Sequence, residues 1–220
     1  MQHIQDKDFF WQWLNNPKEI GAIFPSSGLL AQAMAFQVKN INKGSIIELG
    51  AGTGVITSAL LETGVAPEQL QVIEKNPALS HALRMKFPDI DVIDDDVLMH
   101  LRDMRKKNKP GEVHGIVSGL PMLLFDVKKQ YILLRHAFSL LRQGGAFIQF
   151  TYGPTPPIAK SVMDRIGLKS TRVAFVWRNT PPAFVWRLER AFKKPDPQFK
   201  NVIDFHPAAK ICQETKQASR

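Results

Sequence analysis

The residues best suited to chemistry lie in the stretch ELGAGTG, residues 48–54, which follows an apolar run and precedes a helical pattern. Its three glycines let the backbone turn tightly and let a ligand approach the main chain closely. A dinucleotide-binding fingerprint would place its third glycine at position 55, where this sequence has Val55. The acidic Glu48 would also repel a pyrophosphate, because like charges repel. The stretch therefore predicts a site for a cationic ligand.

Carboxylates follow the next two strand-like runs. Glu74 ends the second run, about 20 residues beyond the glycines, where an acidic side chain can accept hydrogen bonds from both hydroxyls of a ribose. The run DDD, residues 94–96, ends the third, and from it a carboxylate can accept a hydrogen bond from an adenine amino group. We favour Asp96 over Asp95 because Asp96 leads into the following helix.

Strand-like and helix-like stretches alternate along the middle of the chain, which is typical of a parallel sheet with crossover helices. Asn76 is predicted to cap one helix, with Pro77 in its first position. Two later strand-like stretches, 170–179 and 183–192, are separated by TPP and predict a final antiparallel pair. The other predicted strands are 45–49, 69–75, 89–93, 113–118 and 146–152, and the main predicted helices are 55–64, 76–87 and 128–145.

The composition is that of a globular chain with one core. Its 220 residues are 44% hydrophobic and 22% charged, which excludes wholesale disorder. The single cysteine, Cys212, excludes an internal disulfide framework and multi-cysteine zinc sites, and the six histidines have no metal-ligand spacing, so we predict no metal. No apolar run approaches the roughly 20 residues of a spanning helix, and the N-terminus lacks a signal-peptide layout. We therefore expect a cytoplasmic location.

The chain is predicted to have three parts. An N-terminal helical leader, residues 1–44, precedes a domain over residues 45–192, and a basic tail follows over residues 193–220. A second helix of the leader is predicted over 23–38, capped by Ser26 or Ser27. The first helix of the leader is predicted over residues 8–16. It carries an apolar face that fits either a membrane interface or a lid packed on the domain. The residues of that face are Phe9, Phe10, Trp13 and Leu14.

The glycine motif, the two carboxylates and the alternating elements resemble the class I S-adenosylmethionine-dependent methyltransferases over residues 26–190. The resemblance implies an α/β fold, a Rossmann-like three-layer sandwich whose seven-stranded sheet is mostly parallel with the last strand antiparallel. It implies S-adenosylmethionine as the cofactor and places residues 118–121 beside the transferable methyl group. The cofactor-binding residues that we predict are Ser26, Ser27, Glu48, Gly50, Ala51, Gly52, Thr53, Gly54, Glu74, Lys75, Asp95, Asp96, Val97, Ser118, Gly119 and Leu120.

The turn at residues 118–121, Ser-Gly-Leu-Pro, bears on the methyl acceptor. Enzymes that methylate adenine or other planar amines usually have Asn or Asp, then Pro-Pro or Leu-Pro, then an aromatic residue at this point. Here Met122 follows the proline, so a platform for stacking a base is weakened. The turn therefore predicts a flexible amine attached to an apolar group.

Candidate residues for the transfer itself lie at the ends of the fourth and fifth predicted strands. We predict that Tyr152 orients the amine and that Ser118 and Gly119 belong to the catalytic site. Pro121 and Tyr152 are predicted to contact the substrate, and Arg178 is predicted to contact its phosphate.

Four stretches closely resemble the bacterial phospholipid N-methyltransferases of the soluble, peripheral type. The resemblance implies stepwise methylation of phosphatidylethanolamine toward phosphatidylcholine, and ornithine-lipid methyltransferases are near relatives. It also implies peripheral association with the inner membrane through an anionic surface, and we predict no obligate protein partner. The stretches are GAIFPSSGLLAQAM (21–34), SGLPMLLF (118–125), FIQFTYGP (147–154) and VWRNTPPAFVW (176–186).

Two other functions stay open. The net charge of +9 and the Leu-Pro turn are compatible with an RNA adenine N6-methyltransferase. The missing Asn and aromatic residue of the turn count against that function, so nucleic acid is the less favoured partner. A non-catalytic module that docks on membranes or on a protein would share the fold, although the intact glycines and acidic residues argue for cofactor binding.

Overall fold

The protein is described here from a computed structural model that covers residues 28–38, 44–107 and 111–191. A seven-stranded sheet lies between two layers of helices. The strands are β1 Ser45–Leu49, β2 Leu70–Glu74, β3 Asp91–Asp94, β4 Val113–Ser118, β5 Leu141–Thr151, β6 Leu168–Val176 and β7 Ala183–Arg190. The helices are α1 Gly28–Ala35, α2 Val55–Glu62, α3 Pro77–Lys86, α4 Val97–Lys107, α5 Val127–Leu140 and α6 Lys160–Ile166.

The strand order is β3-β2-β1-β4-β5-β7-β6. Strands β1 to β5 are parallel to one another, whereas β7 runs antiparallel to both β5 and β6. The chain leaves β1 toward β2 and β3 and then crosses to β4 on the other side of β1, so the order reverses between β1 and β4. Such a switch point is where open α/β sheets bind ligands, at the carboxyl ends of the strands. The predicted fold class is confirmed.

Helix α1 belongs to the core of the described structure. Leu30, Ala31, Met34 and Ala35 are fully buried and pack in the apolar layer that α2 and α3 also cover. Residues 28–38 of the predicted leader therefore pack on the sheet. Residues 1–27 and 39–43 of the leader lie outside the described residues, and with them the apolar face predicted at Phe9, Phe10, Trp13 and Leu14. Residue 192 and the predicted tail over 193–220 also lie outside them. Among the helices that the structure describes, none has both the length and the hydropathy to span a bilayer.

The junction between β2 and α3 is fixed by its own side chains. Asn76 Oδ1 accepts hydrogen bonds from the N–H groups of Ala78 and Leu79, as a helix N-cap does, and Pro77 occupies the first helical position. The Ser80 hydroxyl donates to the carbonyl of Glu74 at 2.8 Å from within the helix. These bonds hold the last residue of β2 rigidly at the edge of the sheet.

Glu48 is an acidic residue buried in a central strand of the sheet. It is fully buried in β1, where its Oε2 accepts a hydrogen bond from Thr57 Oγ1 at 2.7 Å and its Oε1 has no partner within the described residues. Burial raises the pKa of the Glu48 carboxyl to about 7; hydrogen bonds from Thr57 oppose this shift, and the nearby charge of Glu74 adds to it. The carboxyl is therefore partly protonated at neutral pH.

We expect Glu48→Gln to change how stability depends on pH. Between the usual pKa of 4.5 and the raised value of about 7, the folded protein binds more protons than the unfolded chain. The wild-type free energy of unfolding therefore falls as the pH rises through that window, by about 3 kcal/mol in total. Glutamine does not titrate, so the variant lacks this loss.

Guanidinium chloride denaturation of both proteins at about pH 5 and about pH 8 measures the effect. The wild type should lose stability relative to the variant at the higher pH. A stability difference that is the same at both pH values would contradict the buried, neutral carboxyl.

Candidate active site

The glycine motif forms the loop between β1 and α2. Gly52 lies in the left-handed region with φ +57°, which L side chains rarely adopt, and a Cβ there would meet no atom within 4 Å. Its N–H donates to Glu74 Oε2 at 2.9 Å. The facing turn after β4 approaches this loop closely, since a Cβ on Gly119 would lie 2.6 Å from the carbonyl oxygen of Gly50. Glycine therefore leaves open backbone at position 52 and allows the close approach of the two segments at position 119.

Glu74 connects the loop to the neighbouring strand. Its Oε1 accepts from the N–H of Asn76 at 2.9 Å, while its Oε2 accepts from Gly52, and the residue is 9% exposed. Each carboxylate oxygen can accept two hydrogen bonds. Each oxygen therefore keeps one lone pair for a ligand.

Asp96 follows β3 and forms an ion pair with Lys75 at 3.1 Å. Burial acts to raise the pKa of the Asp96 carboxyl, but the bonds from Lys75 and from the N–H of Leu98 outweigh burial and hold that pKa below its usual value. The carboxyl is thus ionised at neutral pH. The Lys75 side chain is 74% exposed, so the ion pair is weak and leaves Asp96 available to a ligand.

These groups surround one cavity of about 500 Å³ at the carboxyl edge of the sheet. Its size is within the usual range for small-molecule sites. The predicted site residues that line it are Gly50, Ala51, Gly52, Thr53, Glu74, Lys75, Asp96, Val97, Gly119, Leu120, Pro121 and Tyr152. The structure therefore brings most of the predicted site residues that it describes together around one cavity.

Five predicted residues do not line the cavity, each for a local reason. Glu48 lies buried in β1 with Thr57, and Gly54 lies against side chains of α3 at the start of α2. Asp95 accepts from the N–H of Asp96, and the Ser118 hydroxyl is fully buried, where it accepts from the N–H of Leu120. For these four, direct ligand contact is replaced by support of the loops.

Arg178 lies on the connection between β6 and β7, away from the cavity. Its guanidinium stacks on the ring of Trp177, 5.0 Å from the centroid. The structure therefore does not bring Arg178 to the predicted substrate contacts. The remaining predicted contacts, Ser26 and Ser27, lie outside the described residues.

Eight further residues line the cavity and were missed from the sequence. Phe150 could have been found, because it lies two residues before Tyr152 and side chains two apart on a strand share a face. Helix α5 and the turn before it contribute Phe125, Lys129 and Leu133, and Lys129 Nζ lies 3.9 Å from the centroid of the Phe125 ring. No sequence motif marks these helix positions. The remaining four are Val55, Ile56, Leu79 and Leu98.

The strand order sets the layout of the cavity along the sheet edge. Glu74 and Asp96 follow β2 and β3, the loop and turn at Gly52 and Gly119 follow β1 and β4, and Tyr152 follows β5. From β3 to β5 is four strand spacings, about 19 Å. The carboxylates and Tyr152 thus lie at opposite ends, with bare backbone between them.

Tyr152 keeps its proton at physiological pH. Burial raises the pKa of its phenol to about 12, and its ring meets Phe150 edge to face with centroids 5.5 Å apart. The phenol can exchange hydrogen bonds with a bound group, but it cannot act as a base near neutral pH. Tyr152 therefore offers the cavity a protonated hydroxyl next to the ring of Phe150.

No protein-family model matches the chain. The chain is 30% identical over 183 residues to the ornithine lipid N-methyltransferase of Singulisphaera acidiphila, an alignment that covers 80% of this chain and 93% of that enzyme. It is 37% identical over 161 residues to ribosomal RNA small subunit methyltransferase A of Chlorobium chlorochromatii, covering 72% of this chain and 56% of that enzyme. The second alignment therefore leaves a large part of the ribosomal RNA enzyme unmatched.

Among solved structures, the O-methyltransferase of Bacillus cereus in complex with SAH aligns with a TM-score of 0.56 at 13% identity, covering 86% of this chain and 91% of that one. This similarity shows the fold. The similarity to the S. acidiphila enzyme extends over nearly all of that enzyme and shows the family. The chain is therefore a class I S-adenosylmethionine-dependent methyltransferase and belongs to the family of the S. acidiphila ornithine lipid N-methyltransferase.

Proposed function

We propose that this enzyme transfers methyl groups from S-adenosylmethionine to the amine of a lipid head group, and that its preferred substrate is an ornithine lipid. The observation that carries the proposal is the apolar end of the cavity, where Tyr152 supplies a polar group. The similarity to an enzyme named ornithine lipid N-methyltransferase favours ornithine lipid over phosphatidylethanolamine, which the sequence alone had suggested.

The cavity residues fit S-adenosylmethionine. The free lone pairs of Glu74 suit the two ribose hydroxyls, and Asp96 suits an adenine amino group. The acidic side chains of Glu74 and Asp96 and the open backbone at Gly52 favour a cationic ligand over a diphosphate. When bound, the cofactor would supply an electrophilic methyl group.

The acceptor end has to deliver a neutral amine. A primary alkylamine is mostly protonated in water, with a reference pKa of about 10.4, and burial in apolar surroundings lowers the pKa of an ammonium. Leu120, Pro121 and Phe150 provide such surroundings. Once the ammonium has released its proton to water, the Tyr152 oxygen would accept a hydrogen bond from the amine N–H and so hold the nitrogen in one orientation. The role of Tyr152 is orientation, since its phenol stays protonated.

Buried side chains support the turn at residues 118–121, which faces the proposed acceptor. Gln149 Nε2, almost completely buried, donates to the carbonyl of Leu120 at 2.9 Å. Met122, the residue after the proline, is 1% exposed and packs in the apolar layer under α5. An adenine methyltransferase would be expected to offer an aromatic ring at that position, so the turn supports a lipid amine rather than a base as the acceptor.

An acceptor panel tests the proposal. Radiolabelled S-adenosylmethionine is offered with ornithine lipid, phosphatidylethanolamine, free ornithine and unmodified ribosomal RNA. We expect label in ornithine lipid, with kcat/KM at least about tenfold above that for phosphatidylethanolamine, because one well-placed head-group contact is worth a factor of this size.

Free ornithine is the control for the acyl chains and should be a poor acceptor, because it cannot fill the apolar end. Label in RNA alone would overturn the lipid proposal. Label in phosphatidylethanolamine without label in ornithine lipid would overturn the choice of head group.

We expect Tyr152→Phe to reduce kcat for the lipid about 10- to 100-fold, because it removes one hydrogen bond to the reacting amine. The affinity for S-adenosylmethionine should stay close to that of the wild type, since Tyr152 lies at the other end of the cavity from Glu74. Steady-state kinetics and calorimetric binding measure the two quantities.

The matched control is Tyr131→Phe, which changes the other tyrosine of the chain. Tyr131 lies on α5, with Arg165 4.4 Å from its ring centroid, and it does not line the cavity. Its variant should keep wild-type kcat. An unchanged kcat in Tyr152→Phe would remove Tyr152 from the transfer step.

A further inference from the structure

An exposed cluster of aromatic and basic side chains lies on the β6–β7 hairpin, which nothing in the described cofactor site uses. Phe175 is 54% exposed and Trp177 is 65% exposed, both unusually high for large apolar residues. We call the cluster the hairpin patch. Its members are Arg172, Phe175, Trp177, Arg178 and Phe184.

Contacts within the hairpin patch hold the rings in place. Phe175 stacks on Phe184, with centroids 4.6 Å apart and an interplanar angle of 23°. The guanidinium of Arg172 lies 5.4 Å from the Phe184 centroid, and that of Arg178 lies 5.0 Å from the Trp177 centroid. The exposed rings are therefore ordered and flanked by cations.

The hairpin patch is electropositive. Between residues 168 and 190 the sequence has five basic residues and one acidic residue, Glu189. Lys169 and Arg187 both pair with Glu189. Within the described part of the chain no carboxylate is within ion-pair distance of Arg172 or Arg178, so both charges are available to an anionic partner.

The hairpin patch and the cavity share one edge of the sheet. Phe184 pairs with Thr151, the residue directly before Tyr152, and Val176 pairs with Ala183 where β6 ends. Along the strand order, the carboxylates of the cavity come first, Tyr152 follows at β5, and the hairpin lies beyond β5 at β7 and β6. A surface that docks on the hairpin patch therefore meets the acceptor end of the cavity.

We propose that the hairpin patch docks on an anionic lipid bilayer and presents the acceptor end of the cavity to head groups; this inference rests on the proposed lipid substrate. Trp and Phe rings partition into the headgroup region of a bilayer, where their apolar faces leave water. Arginine forms bidentate hydrogen bonds to lipid phosphate, and each cation near an anionic surface strengthens binding.

A nucleic acid fits the hairpin patch less well. Base stacking needs an open aromatic face. Here Phe175 and Phe184 each use one face to stack on the other, and a guanidinium lies over one face of the Trp177 ring, so fewer faces are open to bases. The rings are better arranged to enter a headgroup layer than to stack with bases.

Flotation with vesicles tests the proposal without any methyl acceptor. The vesicles contain phosphatidylcholine with a minor fraction of phosphatidylglycerol, neither of which is a proposed substrate. We expect Phe175→Ala combined with Trp177→Ala, and separately Arg172→Glu, to lower the partition coefficient of the full-length protein about tenfold or more. Pure phosphatidylcholine vesicles should bind the wild type more weakly.

The matched control is Met85→Ala. Met85 is 73% exposed on α3, which packs beside β2 and β3 at the far end of the sheet from β6. This variant should float like the wild type. Circular dichroism and methyl transfer to a short-chain lipid below its micellar concentration should be unchanged in the hairpin variants, which separates lost docking from lost folding.

If the double variant and Arg172→Glu both float as the wild type does, the proposal that the hairpin patch binds the bilayer is wrong. A shift from dimer to monomer in the variants with unchanged flotation would assign the patch to a second copy of the chain. Retained vesicle binding with lost binding to ribosomal RNA would assign it to nucleic acid. If the wild type methylates no lipid, the proposed function fails, whereas the flotation result still decides the docking surface.

Discussion

The site depends on the carboxylate of Glu74, which fixes two backbone segments at once. One oxygen holds the N–H of Gly52 in the glycine loop, and the other holds the N–H of Asn76 at the start of α3. The two bonds place the loop after β1 against the end of β2 and leave one lone pair on each oxygen facing the cavity. The carboxylate that fixes the two backbone segments is thus also the proposed ligand contact.

Charge is distributed unequally between the site and the surface. The net charge is +9, yet the cavity presents the carboxylates of Glu74 and Asp96, and Glu48 beneath them is partly neutral because it is buried. The cavity therefore offers two carboxylates to a cationic donor at the ends of β2 and β3, with Lys75 and Lys129 also in its lining, while the arginines of the hairpin patch are exposed. The order of these groups along the sheet edge, from the carboxylates of Glu74 and Asp96 through Tyr152 to the hairpin patch, follows from the strand order.

Site residues at the ends of strands could be predicted from the sequence. Residues that reach the cavity only because of how helices and side chains pack could not. The glycine loop, Glu74 and Asp96 follow strand ends, and strand ends meet at one edge of a parallel sheet. Which side chain of a strand end faces inward depends on the pleat and on neighbouring helices. Ser118 and Glu48 therefore looked like ligand contacts but are buried beneath the loops. The cavity residues on α5 depend on how that helix packs on the sheet.

In the β6–β7 hairpin too, the sequence predicted the strands but not the contacts of their side chains. Its two strands and their antiparallel pairing were predicted from the sequence and agree with the structure. The stacking of Phe175 on Phe184 depends on the bulge near Arg172, which shifts the register between the strands. Arg178 was predicted to contact substrate because it is basic and near a strand end, but the turn directs it onto Trp177.

The most direct measurement is calorimetric binding of S-adenosylhomocysteine to the wild type, to Glu74→Gln and to the exposed control Glu62→Gln. An amide offers one acceptor oxygen where the carboxylate offers two, so Glu74→Gln should weaken binding at least about tenfold, whereas Glu62→Gln should bind like the wild type. Wild-type affinity in a folded Glu74→Gln protein would contradict the account.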